Sequence, residues 1–381
     1  MADEKSSCRV STWLRVAFGY ATMSFPDVLG VVAERLRLAD FASVAVFAWF
    51  ALVSLPSGVV CGRIGSRKAA VLAMGATTLA VALLAFSGER SAMAVAGLAL
   101  AGAANVLLQV AMPTHVAESF GAEVQAGVLT LGQVVKSFTA ILLPFVLAGC
   151  ASAGNWRLFF LVFGAMTLVA VLPMAFSGGG GSRLMSRRTS LASVLRLLGD
   201  RPTALVAAVF AIAIMSDVAF NLSIPNAVRG RFMSGDSTIG VVYAVLFGIK
   251  LPVMFAGAWL FSRYGTARFF VPSLAVALAG AATLLFAENF TVYIAGVVLF
   301  AGGYANLYGF VFGAASPRHP PECAAEVSSL MVMAIAGGAL ASPALVAFGA
   351  FGDNGAEKLV LASAMTILFL AVAVSRSRSA A

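Results

Sequence analysis

Four charged side chains, two acids and two bases, interrupt long apolar stretches of this sequence: Asp27, Lys136, Asp217 and Lys250. Charged groups inside such stretches are costly in a membrane and usually mark functional sites. The alternative is that they form two buried ion pairs that only hold the chain together. Because buried ion pairs stabilise a fold less than apolar packing does, we favour a function. A carboxyl group in an apolar cavity can alternate between a protonated and a lysine-paired state, so Asp27 and Asp217 are the candidates for proton coupling.

Amide, basic and hydroxyl side chains share helical faces with these charges. Asn105 and Gln109 lie four residues apart, as do Asp217 and Asn221, and this spacing places each pair on one face of a helix. Amides both donate and accept hydrogen bonds, which suits a small polar ligand. A lone membrane Asn often only joins two helices, but polar rows on several predicted helices favour a binding site. The predicted substrate-binding residues are Asn105, Gln109, Gln133, Lys136, Asn221, Lys250, Asn306 and Tyr308.

The composition places these residues in a membrane protein. Hydrophobic residues make up 61% of the chain and charged residues 11%, whereas a soluble domain is about half apolar and a quarter charged. The net charge of +9 does not indicate nucleic acid, because the basic residues form no continuous face. The four cysteines lack C-x-x-C spacing, and His115 and His319 fall in predicted loops. We therefore predict no metal, no cofactor and no enzymatic activity.

Twelve apolar stretches are long enough to cross a bilayer, which requires a helix of about 20 residues. They cover residues 12–33, 43–62, 69–87, 91–114, 124–149, 156–176, 203–227, 238–261, 268–286, 290–314, 327–349 and 356–375. Lys and Arg are concentrated in the loops on the side of both termini, which predicts that both termini are cytoplasmic. We expect a multi-pass protein integral to the cell (inner) membrane.

The two halves of the chain repeat each other. The loops of residues 62–68 and 262–268 share an Arg and a Gly, and the pattern Gly-x-x-Asn ends at Asn105 and again at Asn306. A parallel repeat of two halves is one way in which transporters are built, with the substrate between the halves. The predicted domains are a six-helix bundle over 1–176, a cytoplasmic linker with an amphipathic helix over 177–202, and a second six-helix bundle over 203–381.

The loop of residues 62–68 resembles the signature loop of the major facilitator superfamily, although the acidic residue of that pattern is absent here. A narrower resemblance rests on Asn105 and Gln109, the Gln-x-x-Lys motif ending at Lys136, the Asp-x-x-x-Asn motif ending at Asn221, and the Ala-Asn-Leu-Tyr motif ending at Tyr308. Together these motifs are similar to the fucose–galactose–glucose:proton symporter branch, in its bacterial sugar transporter group. That branch has a Glu in the fourth helix where this chain has Gln109.

The resemblance implies an all-α membrane protein of twelve transmembrane helices in two six-helix pseudo-repeats, the major facilitator fold. It implies that the first, fourth, fifth, seventh, eighth and tenth spans line a cavity. Asp27 matches the acid of the branch's first helix, which makes it the first candidate for the proton carrier, with Asp217 as the second. Pro26, Pro113 and Pro225 are the expected kink points when the halves rock against each other.

These observations predict a secondary active transporter that moves a small polar solute, a sugar-like molecule, by alternating access with proton coupling. The expected partners are this substrate, protons and the lipid bilayer, with no nucleic acid, and we expect a monomer. One alternative is an organic-anion or sugar-acid carrier in which Lys136 and Lys250 hold a carboxylate. An alternative of another class is a transport-dead membrane sensor or scaffold, which would need a cytoplasmic domain that the loops are too short to form.

Overall fold

The computed structural model describes residues 2–25, 32, 36, 39–89, 91–176, 190–233, 236–265, 267–347 and 355–379. Asp27 and Pro26 lie outside these residues. The α-helices in the described ranges are α1 Ala2–Thr22, α2 Ala39–Ile64, α3 Ser66–Phe86, α4 Ala92–Ser119, α5 Ala122–Ser152, α6 Leu158–Ala175, α7 Leu191–Arg196, α8 Arg201–Asn226, α9 Asp236–Tyr264, α10 Ala267–Leu285, α11 Phe290–Tyr304, α12 Leu307–Ala315, α13 Ala324–Ala347 and α14 Gly355–Ser379. Within the same ranges, no residue belongs to a strand.

Polar residues in the short loops begin several of these helices. Ser91 accepts a hydrogen bond from the backbone N–H of Ala94 at 3.1 Å, and Asn289 caps α11 in the same way. Asp200 accepts from the backbone N–H of Thr203 at 3.1 Å and starts α8. Such caps replace hydrogen bonds that the first helical turn lacks, each contributing about 1 kcal/mol.

Nine helical segments of the described residues are long and apolar enough to cross a membrane. They are Ser66–Phe86, Ala92–Ser119, Glu123–Ser152, Leu158–Ala175, Arg201–Asn221, Val241–Tyr264, Arg268–Leu285, Phe290–Arg318 and Pro321–Ala341. Large apolar side chains are exposed on several of them, including Leu79 on α3, Leu168 on α6 and Val276 on α10. Exposed apolar surface of this kind fits contact with lipid.

The contacts divide the chain into two compact units. The first consists of Met1–Leu197 and His319–Met333, and the second of Leu198–Arg318 and Ala334–Ala381. The start of α13 belongs to the first unit because Ser329 donates a hydrogen bond to the backbone oxygen of Ser54 on α2 at 2.6 Å. Gly58 permits this approach, since a Cβ there would overlap the Ser329 side chain. The predicted domain boundaries stay a prediction.

In the first unit, α3 packs against α4 and α6 around a core of aromatic rings. Phe163 stacks with Phe159 and lies 5.0 Å from the ring of Phe25, centroid to centroid. Thr78 and Thr167 share a hydrogen bond of 2.9 Å between α3 and α6. The linker helix α7 is short, and its Val194 is buried while Leu191 and Leu195 are exposed.

In the second unit, glycines bring the backbones of α10 and α11 into direct contact. A Cβ at Gly280 would overlap the backbone of Phe300, and a Cβ at Gly303 would overlap that of Ala277. A Cβ at Gly296 would lie 2.9 Å from the backbone nitrogen of Leu284, a close but less severe contact. Small residues allow membrane helices to pack this tightly. Such close packing matters in a membrane, because apolar side chains gain little by leaving lipid and van der Waals contacts hold the helices together. We call this contact the glycine seam.

Candidate functional site

Two of the four predicted intramembrane charges form an ion pair in the second unit. The Nζ atom of Lys250 on α9 lies 3.1 Å from Oδ1 of Asp217 on α8, and it donates a hydrogen bond to that oxygen. The exposed fraction is 15% for the Lys250 side chain and 33% for that of Asp217. Both residues lie on membrane-spanning helices, so the pair is a neutral, partly accessible polar site inside the membrane.

Aromatic side chains of α9 continue this site along one helical face. Tyr243, Phe247 and Lys250 are spaced four and three residues apart, which aligns them on α9. The rings of Tyr243 and Phe247 are stacked with centroids 6.3 Å apart. The Nζ atom of Lys250 lies 5.6 Å from the centroid of the Phe247 ring, a cation–π contact.

Asn221 uses its amide nitrogen within its own helix. Its Nδ2 donates to the backbone oxygen of Asp217, one turn earlier, at 2.7 Å. The backbone oxygen of Asn221 accepts a hydrogen bond of 2.8 Å from the hydroxyl of Tyr243. Tyr243 is not among the residues predicted from the sequence, and only the proline four residues after Asn221 signals that this oxygen lacks its helical partner.

Asn306 lies where the tenth predicted span breaks into α11 and α12. Its Nδ2 donates to the backbone oxygen of Val253 on α9 at 3.1 Å, and its side chain occupies the space where Gly257 lacks a Cβ. Asn306 is buried and joins α9 to the helix break. Tyr308, two residues on, packs its ring against Phe312 with centroids 4.7 Å apart.

The other predicted binding residues lie in the first unit, on the neighbouring helices α4 and α5. Asn105 and Gln109 are buried on α4, with exposed fractions of 4% and 8%. The Oδ1 atom of Asn105 has no hydrogen-bond partner among the described residues. Gln133 and Lys136 are half-buried on α5. Thus the structure groups Asp217, Asn221 and Lys250 directly, and it keeps the α4 and α5 residues in the other unit.

A second polar cluster of the first unit was not found by sequence reasoning. Ser66, at the start of α3, lies 3.3 Å from Nδ1 of His115 and donates to Oε2 of Glu118. His115 had been expected in a loop, but α4 continues past the predicted end of its span and buries it. Near this cluster, Ser193 of α7 donates to Oε1 of Glu326 on α13 at 3.5 Å. Among the described residues, no group of three or more His, Cys, Asp or Glu could hold a metal ion.

Helices long and apolar enough to cross a membrane, with an ion pair between two of them, place the chain in the class of multi-pass membrane proteins. A family model of the Major Facilitator Superfamily matches residues 17–343, and the chain belongs to this superfamily. It is therefore a multi-pass integral membrane transporter and not an enzyme. Among curated proteins, none matches the sequence significantly.

Solved structures of transporters share the fold over almost the whole chain. The E. coli fucose:proton symporter FucP is 15% identical, with a TM-score of 0.81 over 96% of this chain and 97% of its own. The human organic anion transporter MFSD10 (TETRAN) is also 15% identical, with a TM-score of 0.76 over 95% and 99%. The proton:xylose symporter XylE is 13% identical, with a TM-score of 0.72 over 96% and 95%. The predicted all-α major facilitator fold is thus confirmed.

Proposed function

We propose that this transporter moves a neutral sugar across the membrane by alternating access and couples its movement to protons. The observation that carries the proposal is the ion pair of Asp217 and Lys250. A pair with no net charge offers donors and an acceptor to hydroxyl groups, as a sugar requires. The fold likeness to FucP and XylE, both described as sugar:proton symporters, supports the same substrate class.

The ion pair also favours one of the two substrate classes that the sequence leaves open. A carboxylate substrate bound to Lys250 would compete with Asp217, and a half-buried acid would then lose part of its contact with its partner. A neutral sugar can bind beside the intact pair without this cost. The likeness to the organic anion transporter MFSD10 keeps an organic-anion or sugar-acid carrier as the second candidate.

For the proton, we propose Asp27 as the carrier, with Asp217 held by Lys250 or binding substrate beside Asn221. The contact of Asp217 with Lys250 supports this division, because the Asp217 carboxyl group already has a hydrogen-bond partner on α9. In the first unit, the residues that we propose for substrate binding are Asn105, Gln109, Gln133 and Lys136.

Uptake into proteoliposomes tests the substrate class. Radiolabelled L-fucose, D-xylose, D-glucose and D-glucuronate are supplied with and without a pH gradient, and protein-free vesicles are the control. We expect accumulation of at least one neutral sugar that requires the gradient, and none of D-glucuronate. Accumulation of D-glucuronate alone would mean that the substrate is an organic anion and not a neutral sugar. Binding of a sugar without any uptake would instead favour the sensor.

We also propose that the protein lies in the cell (inner) membrane as a monomer with both termini cytoplasmic. The distribution of Lys and Arg between the loops supports this orientation. A phosphatase that is active only outside the cytoplasm, fused after Ala381, should be inactive. Full phosphatase activity would contradict the orientation.

A further inference from the structure

Helix α8 lacks one of its own hydrogen bonds just beyond the ion pair. In an α-helix the backbone oxygen of Asn221 would accept from the N–H of residue 225, four positions later. That residue is Pro225, which has no N–H. The hydroxyl of Tyr243, on α9, donates to this oxygen at 2.8 Å and takes the place of the missing donor.

The far side of this proline is anchored by different contacts. After α8 the chain makes one turn of π-helix, Ala227–Arg231, a change of helical register that is frequent at functional sites. Arg231 donates to the backbone oxygens of Leu284 and Ala287 at the end of α10, and it lies 3.6 Å from Oε1 of Glu357 on α14. The segment between Asn221 and this turn is therefore where α8 can bend.

The near side of the bend is connected to the ion pair through α9. Tyr243 stacks on Phe247, and Phe247 lies beneath the ammonium group of Lys250, which binds Asp217. Asn221 completes this chain of contacts, because its Nδ2 donates to the backbone oxygen of Asp217 at 2.7 Å. Lys250 and Tyr243 therefore share one face of α9, so a movement of this face changes the contacts of both residues with α8.

We propose that Tyr243 is a positioning residue of the transport cycle, whose hydroxyl holds the bend of α8 at Pro225 and is released when the Asp217–Lys250 pair opens. The bend itself rests only on the hydrogen bond from Tyr243 to Asn221 and on the missing N–H of Pro225. Its link to Asp217 rests on the proposed function, because substrate or protons must reach that pair.

The first test exchanges the donor of this hydrogen bond. Tyr243→Phe removes the hydroxyl and keeps the ring on Phe247, while Pro225→Ala returns an N–H to α8. Loss of one hydrogen bond shifts such an equilibrium by up to about tenfold, so Tyr243→Phe should lower gradient-driven sugar uptake about tenfold. In the Pro225→Ala protein the same substitution should change uptake by less than about twofold. Tyr264→Phe is the matched control, because Tyr264 is 45% exposed at the end of the same helix.

The second test needs no substrate and so stays decisive if the sugar proposal fails. Hydrogen–deuterium exchange is followed by mass spectrometry on the full chain in lipid nanodiscs, for peptides covering residues 221–232. Tyr243→Phe should raise their exchange rate about tenfold, and Asp217→Asn should raise it in the same peptides. Tyr264→Phe should leave it unchanged.

Two results would overturn the proposal. An equal loss of uptake on Tyr243→Phe with and without Pro225→Ala would mean that the hydroxyl does not replace the missing N–H. Unchanged exchange of residues 221–232 in Asp217→Asn would mean that the ion pair does not control the bend. Equal thermal unfolding midpoints of the Tyr243→Phe and Tyr264→Phe proteins would exclude general misfolding as the cause of either effect.

Discussion

The same short motif, Gly-x-x-Asn, occurs once in each half of the chain and has two different structural outcomes. In the first unit, Gly102 to Asn105 lies inside α4, which continues unbroken over Ala92–Ser119. In the second unit, Gly303 to Asn306 lies where α11 ends and α12 begins. Sequence similarity between the halves therefore does not extend to the path of the backbone.

The two asparagines differ in what their amides contact. The Nδ2 atom of Asn306 donates to Val253, and its side chain fills the space beside Gly257. Asn105 is buried too, and Oδ1 of each asparagine has no hydrogen-bond partner within the described ranges. The difference lies in the amide nitrogen, because that of Asn306 joins two helices. No such contact of Asn105 is found among the described residues.

The largest expected effect concerns the two aspartates that match between the halves. If Asp27 carries the proton, Asp27→Asn should abolish uphill uptake and retain counterflow of sugar across the vesicle wall, since exchange needs no net proton movement. Asp217→Asn should impair both counterflow and binding, because it removes the partner of Lys250. Glu123→Gln, an exposed acid at the start of α5, is the control. The reverse pattern would exchange the roles, and normal uphill uptake in both variants would contradict proton symport.

The next expected effect tests whether the first unit also supplies a charge. Lys136→Ala should reduce uptake more than a hundredfold while the protein still inserts, because Lys136 lies within a span beside Gln133. Initial uptake rates and membrane abundance on blots measure the two quantities. Lys358→Ala, at an exposed position near the start of α14, should transport normally. Normal uptake by the Lys136→Ala protein would mean that Lys136 has only a structural role.

A smaller effect compares the two asparagines directly. Asn105→Ala should raise the KM for sugar about tenfold with little change in the thermal unfolding midpoint, since no hydrogen bond of its amide joins two helices within the described residues, unlike that of Asn306. Asn306→Ala should lower the free energy of unfolding by about 1 kcal/mol and leave KM within about twofold. Uptake kinetics and thermal unfolding of the same preparations measure both. A change of KM in Asn306→Ala, and not in Asn105→Ala, would contradict the roles assigned to the two asparagines.

The smallest effect concerns the glycines that these helices pack against. Gly257→Ala should lower the unfolding midpoint by a few degrees because its Cβ would overlap the side chain of Asn306. Gly102→Ala should lower the unfolding midpoint by less, since the atoms nearest to its Cβ would be those of the Trp49 side chain, the first of them 3.1 Å away. In the Asn306→Ala protein the cost of Gly257→Ala should largely disappear. A cost that persists there would show that another neighbour limits the space.

Helix positions and the superfamily follow from the sequence, because long apolar stretches and the repeated loop do not depend on distant contacts. The partner of Asp217 does depend on them: two lysines were available, and only the packing of α8 on α9 brings Lys250 to it. Tyr243 was missed for the same reason, since its hydroxyl bond requires the relative register of two helices. The break at Asn306 contains no proline, so composition gives no sign of it.

The glycine seam between α10 and α11 has a practical consequence for measuring motion. Where the two backbones are in contact, one helix cannot slide along the other without steric overlap. We therefore expect α10 and α11 to move together as one rigid body. Val276 on α10 and Leu299 on α11 are both partly exposed and can carry spin labels. The separation of these labels should stay constant throughout turnover. This constant distance between the two labels then serves as an internal reference for distance changes measured elsewhere in the transporter.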